Sequence, residues 1–167
     1  MNMTHIHSFR AAILSAVGIS IIAVVGVVTH QPLLFPSLGP TIFVVTLAPN
    51  EPIVRFRNII LGHGLGIVCA LIATPIVGLL QHEFCSSELC AQFDPGVAAA
   101  LAVALTIIMQ VPVHALHPPA AATTMLLVLG GIKPEWQSII IIMGSVLFVA
   151  TYGELIKIIN KLMGIHT

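Results

Sequence analysis

The sequence predicts an all-α membrane protein, a compact helical bundle of about six segments. Two of these segments are broken half-helices, and the whole is arranged as an inverted internal repeat. The prediction rests on long apolar runs almost free of charge, on proline and glycine placed inside two shorter runs, and on a self-similarity between the chain's halves. Apolar residues make up 57% of the 167 residues and charged residues 7%, with a mean hydropathy of +1.08. A soluble domain carries about a quarter charged residues, so this supply cannot build a water-facing surface. The six basic and six acidic residues cancel, which leaves no basic patch for nucleic acid and no acidic tail for a basic partner.

The first apolar run follows Arg10 and extends from Ala11 to Val28. At about eighteen residues it exceeds a secretory signal core of ~7–15, and no small-x-small site closes it. It therefore reads as a first span, Phe9 to Val28. Spans are likewise expected at Ile59 to Leu80 and Gln137 to Ile159, since about twenty residues at 1.5 Å each cross a bilayer core. Gly96 to Val111 is a slightly short fourth, with Gln110 as its strongly polar side chain.

The remaining runs, Leu33 to Ala48 and His117 to Gly130, are interrupted. The first holds Pro36, Gly39 and Pro40, and the second opens on Pro118 and Pro119. Proline lacks an N–H and restrains its predecessor, so helix should begin near Pro40 and Pro119, with extended chain before each. Irregular backbone at membrane depth must be buried in protein or line a water-filled cavity, which places both runs inside the bundle. If both cross, Arg10, Arg55, Arg57, Lys157 and Lys161 fall on one side and only Lys133 on the other. With four spans and two re-entrant dips the same residues split evenly. The positive-inside rule favours six crossings, with both termini cytoplasmic in a multi-pass protein of the bacterial plasma membrane.

Sliding the chain by about 82 positions aligns the interrupted runs and the spans after them. Pro36 meets Pro118, Thr41 meets Thr123, Pro52 meets Pro134, and Gly62 meets Gly144. Residues 1–167 then read as a single transmembrane domain, with repeat one over about 9–81 and repeat two over about 95–160. Each unit contributes an odd number of crossings, so the units are inverted, a plan that gathers broken helices around a substrate near the midplane.

Helix N-termini leave N–H groups unpaired and carry about half a positive charge. Two such ends, at Gly39-Pro40-Thr41 and Pro119-Ala120-Ala121, would attract a small monovalent anion. Hydroxyls of Ser37, Thr41, Thr123 and Thr124 and imidazoles of His114 and His117 would add donors. Each residue also has a structural reading: the hydroxyls can cap a helix or bond their own backbone, and a histidine can satisfy a carbonyl freed by proline. His63, between Gly62 and Gly64, either lines the pathway or joins closely packed helices.

Among the cysteines, Cys69 lies in an apolar run and reads as packing. Cys85 and Cys90 share the polar stretch 82–90, where a disulfide, two free thiols, or a metal site with His82 stay open. No cofactor is expected. No histidine pair has the helical spacing of a zinc protease, and Glu154, the nearest candidate carboxylate, can pair with Lys157. A membrane enzyme is thus a weaker expectation than a transporter or channel, and a structural subunit of a larger complex is the third reading.

His117-Pro118-Pro119 followed by Ala120 to Thr124, with Pro36-Ser37-Leu38-Gly39-Pro40-Thr41 and Arg57-Asn58 leading to Gly62-His63, resembles the HPP family of integral membrane proteins. The resemblance runs from about Leu33 to Ile159. It implies small-anion transport, nitrite above all, with residues 36–41 and 117–124 at the substrate. Members often carry glycine after the two prolines, where Ala120 and Ala121 stand here. They are usually described with four spans, against the six counted from the charges. The expected partners are a small inorganic anion and the lipid bilayer, together with a second copy of the chain that shields the irregular backbone.

Overall fold

The architecture is that of a computed structural model describing residues 3–84 and 88–165, with side chains over residues 6–80 and 95–165. Six α-helices run in the order α1 Met3–Thr29, α2 Leu38–Leu47, α3 Phe56–Phe84, α4 Glu88–Gln110, α5 Ala120–Val128 and α6 Trp136–Leu162, with a 3₁₀ turn at Pro52–Val54 before α3. No strand occurs among the described residues. Three stretches, Ile6–Thr29, Phe56–Leu80 and Trp136–Leu162, are long and apolar enough to cross a membrane, while Leu38–Leu47 and Pro95–Gln110 are shorter apolar helices.

Several helices outrun their apolar runs. α1 begins at Met3, α3 at Phe56, and α4 at Glu88 rather than near Gly96. Hydropathy marks where a helix is desolvated, not where its hydrogen bonds stop, and residues 88–94 contain neither glycine nor proline to break it. The polar stretch 82–90 is accordingly divided between the end of α3 and the start of α4. Cys85 lies outside the described residues, as does the side chain of Cys90, so their pairing is outside the description too. Cys69 is a buried free thiol.

The two interrupted runs behave as their prolines require. α2 opens at Leu38, with Pro40 in the first turn, where its missing N–H has no helical partner to lose. α5 opens directly after Pro119. Residues 30–37 and 111–119, ahead of these helices, form turns and irregular chain.

Long-range contacts fix where each segment lies along the bundle. Ser15 Oγ lies 2.7 Å from Thr46 Oγ1, and Arg10 hydrogen-bonds Asn160. Lys157 Nζ donates to the Val54 carbonyl at 3.3 Å. The end of α2 thus sits beside the beginning of α1, although the chain leaves α1 at its opposite end. In the second half, Arg57 donates to the Val113 and His114 carbonyls at 3.0 and 3.4 Å. Leu127, Val128, Gly130 and Pro134 instead line a cavity together with Ala70, Thr74 and Pro75. Between Arg57 and Thr74 the α3 axis rises about 25 Å at 1.5 Å per residue.

α3 is the hub, packed on α4, α5, α6 and the 3₁₀ turn, while α2 packs on α1 and α6. The apolar core gathers Leu38, Ile42 and Val45 of α2, Ile59 of α3, and Ile142, Val146 and Val149 of α6. The outer faces are apolar as well: Phe9, Val27, Leu79, Ile108 and Ile140 are all exposed. In water such a surface would aggregate, whereas in a bilayer it meets acyl chains. α3 and α6 also carry polar side chains inward, His63 and Ser145 among them.

Candidate functional site

Five polar side chains of the bundle interior, Ser37, Thr41, His63, His117 and Thr123, form one network. Ser37 takes the N-cap position of α2, yet its side chain caps nothing. Its Oγ instead accepts a hydrogen bond from Thr123 Oγ1 of α5 at 2.8 Å. Thr123 Oγ1 also lies 2.7 Å from His63 Nδ1 of α3, and His63 Nε2 lies 3.0 Å from Thr41 Oγ1 of α2. Thr41 Oγ1 is 3.4 Å from His117 Nε2, and His117 Nδ1 donates to the Ile53 carbonyl at 2.8 Å. The two imidazole rings lie 5.1 Å apart, centre to centre, tilted by 55°.

A second layer steadies the chain around His117. Gln110 Oε1 accepts from the His117 backbone N–H at 3.0 Å, while Gln110 Nε2 donates to the Gly62 carbonyl at 3.3 Å. Thr106, one turn earlier on α4, lies 3.1 Å from Thr124 Oγ1. One buried amide thereby ties α4, α3 and the chain before α5 together. Neither Thr106 nor Gln110 belongs to the set expected from the sequence. Their signal was available: polar residues one turn apart in an apolar span share a face, and that face must point inward.

Glycines set the closeness of this approach. A Cβ at Gly62 would stand 2.7 Å from His117 Cβ, and one at Gly66 would stand 2.6 Å from Thr124 Oγ1 and 3.1 Å from the Ala120 carbonyl oxygen. Lying one turn apart on α3, they form a shallow groove into which the chain from His117 to Thr124 sinks.

Of the residues expected at a substrate, Ser37, Thr41, His117, Thr123 and Thr124 are brought together, and all are fully buried. His63, expected only as a pathway residue or as glue, is equally buried and occupies the centre. Pro119 is buried, Gly39 half-buried, and Pro118 exposed. His114 is not in the network. It is exposed in the turn after α4 with a left-handed backbone, φ 50°, and Arg57 holds its carbonyl.

The helix ends also differ from expectation in their bonding. Leu38 and Gly39 N–H donate to the Phe35 and Pro36 carbonyls, and Ala120, Ala121 and Ala122 N–H donate to those of His117, Pro118 and Pro119. Each helix thus begins with 3₁₀-type bonds that occupy the N–H groups expected to be free. The helix dipoles still direct partial positive charge at the network, but its chemistry resides in buried hydroxyls and imidazoles. No buried polar side-chain atom among the described residues lacks a partner. Nor does any group of three or more His, Cys, Asp or Glu among them come together as a metal site would require.

Comparison with known proteins places these features in a wider set. The family model described as the HPP transmembrane region matches residues 2–161. A transmembrane protein of Dictyostelium discoideum is 28% identical over 134 residues, which is 80% of this chain and 41% of that protein. The chain therefore spans about two fifths of that relative's length. No solved structure matches.

Proposed function

This chain belongs to the HPP transmembrane family, and from that premise we propose that it moves a small inorganic anion, nitrite first among candidates, across a membrane as a transporter or channel rather than acting as an enzyme. The observation that carries the reading is the meeting of the two short-helix starts. Ser37 and Thr41 of α2 and His117 and Thr123 beside α5 share one hydrogen-bonded network with His63. Hydroxyls and imidazoles at two convergent dipole ends suit an oxyanion of one charge. The network bonds to itself, so an entering anion would displace internal acceptors and take over their donors.

Six crossings and an inverted repeat fit this site. The run from His30 to Thr46 begins at one end of α1 and finishes beside Ser15, about halfway back along that helix. The run from His114 to Gly130 advances in the same way along α3. Helix contacts correspond in part when α1, α2 and α3 are exchanged for α4, α5 and α6: α1 with α2 becomes α4 with α5, and α2 with α6 becomes α5 with α3, while α3 packs on α4 far more extensively than α6 does on α1. The reversals after the first helix of each half match as well. His30 and His114 both have a left-handed backbone, and Gln31 and Ala115 N–H donate to the Gly26 and Gln110 carbonyls. With six crossings, Arg10, Arg55, Arg57, Lys157 and Lys161 share the cytoplasmic side of a bacterial plasma membrane. A second copy of the chain would shield the outward faces of α2 and α5.

The test is uptake by proteoliposomes containing the purified chain. Nitrite should accumulate faster than in protein-free vesicles, and replacement of His117 or Thr123 should slow it severalfold. No uptake of nitrite, nitrate or formate at any pH tested would reject transport.

A further inference from the structure

Counting hydrogens in the buried network exposes a shortage that heavy-atom distances conceal. His117 Nδ1 faces the Ile53 carbonyl, which can only accept, so Nδ1 carries a hydrogen. His63 Nδ1 faces Thr123 Oγ1, whose own hydrogen goes to Ser37, so this Nδ1 also carries a hydrogen. A neutral imidazole has a single N–H, and each ring therefore turns an Nε2 lone pair toward Thr41 Oγ1, at 3.0 and 3.4 Å. Thr41 has one hydroxyl hydrogen for both, and the Ser37 carbonyl, 3.3 Å away, is a further acceptor.

One added proton resolves this. The ring that takes it donates from Nε2 to Thr41 Oγ1, and Thr41 donates to the Nε2 of the other ring. Each contact between a ring and Thr41 then has its hydrogen, but the network holds a net positive charge in a fully buried site, which is costly unless an opposite charge lies beside it. Neutral side chains surround the rings. α2 and α5 contain no charged residue, nor does α4 over the side-chain-described residues 95–110. Glu51 and Arg55, flanking the 3₁₀ turn, are exposed, as is Arg57, which bonds the Val113 and His114 carbonyls. On α6, Lys157 pairs with Glu154 at 2.7 Å, and Lys161 is exposed.

From this arrangement we infer that His63, Thr41 and His117 form a one-proton site that fills only together with the anion, so that the protein carries proton and anion as a neutral pair. The inference rests on the transport reading and deepens it. The proton comes from water on the loading side, adds to one Nε2, and returns to water when the anion leaves, with no other bond made or broken. Moving it from one ring to the other takes two coupled transfers, the Nε2 hydrogen of the first ring to Thr41 Oγ1 and the Thr41 hydrogen to Nε2 of the second, so the pair is also a short proton relay.

The experiment titrates the full chain in detergent at pH 7.5 with sodium nitrite, by calorimetry in two buffers of different ionisation enthalpy. About one proton should be taken up per nitrite bound, and His63→Gln or His117→Gln should abolish that uptake. Ring 15N spectra of the anion-free wild-type protein, which require no variant, should show both histidines neutral with hydrogen on Nδ1. Nitrite bound without proton uptake, or either ring carrying its hydrogen on Nε2 before the anion arrives, overturns the inference and leaves transport standing. If nitrite neither binds nor is taken up by vesicles, the transport reading fails and the proton site falls with it.

Discussion

Thr123 donates its hydroxyl hydrogen to Ser37 across 2.8 Å and 86 residues of sequence, joining the first turns of the two short helices. Because that hydrogen is committed, Thr123 can only accept from His63, and the orientation of the central imidazole follows. A small hydroxyl pair thereby sets the tautomer of His63, as the Ile53 carbonyl sets that of His117.

Removing this pair should show how much depends on it. Thr123→Val keeps the shape but leaves His63 Nδ1 and Ser37 Oγ without their partner. Leaving buried polar groups unpaired costs about 1–3 kcal/mol, so the melting temperature in detergent should fall. Ser37→Ala leaves only the Thr123 hydroxyl to find another acceptor and should be milder. Thermal scans of both variants measure the difference, and equal losses would contradict the assigned direction of the bond.

The glycine groove makes a paired prediction. Gly62→Ala puts a methyl group 2.7 Å from His117 Cβ, whereas Gly64→Ala meets nothing within 4 Å. Overpacking of this kind typically costs about 1–3 kcal/mol, and here it also displaces His117 from Thr41. Anion uptake by Gly62→Ala should therefore drop at least several-fold, with Gly64→Ala close to wild type. Similar uptake by the two variants would mean that the close approach of His117 to α3 is unimportant.

Crossing number can be read chemically. Six crossings place residue 51 on the cytoplasmic face and residue 133 on the opposite one, while four crossings with two dips place both on the same face. In a chain whose native cysteines are replaced by serine, Glu51→Cys and Lys133→Cys should react with a membrane-impermeant maleimide from opposite sides of oriented vesicles. Labelling from the same side would refute the inverted repeat.

Much of the architecture was legible because bilayer solvation acts on each segment separately. Long uncharged runs had to be helices, and Pro40 and Pro119 had to lie near helix starts, since a missing N–H is harmless only there. Thr41 and Thr123, which meet when the sequence is slid by about 82 positions, both reach His63, at 3.0 and 2.7 Å. His63 was harder to rank. One imidazole between two glycines serves as interhelical glue as readily as a site residue, and its central place between Thr41 and Thr123 of different helices appears only in the structure. His114 shows the opposite: beside the His-Pro-Pro run it looked like a donor, but the turn after α4 directs it outward. The N–H groups at the helix starts were expected to be free, and the 3₁₀ bonds that occupy them depend on local dihedral angles that residue types do not specify.

What the sequence by itself determined is the medium and the placement of the helix breaks, because desolvation and proline sterics are local and act whatever the neighbours are. Which donors face which acceptors was decided only by the tertiary structure. The shared Thr41 hydrogen between His63 and His117 exists because Gly62 and Gly66 let the chain after α4 sink against α3. A hydrogen bond is directional and ends within a few tenths of an ångström, so it is set by the packing of whole helices rather than by the residues that make it.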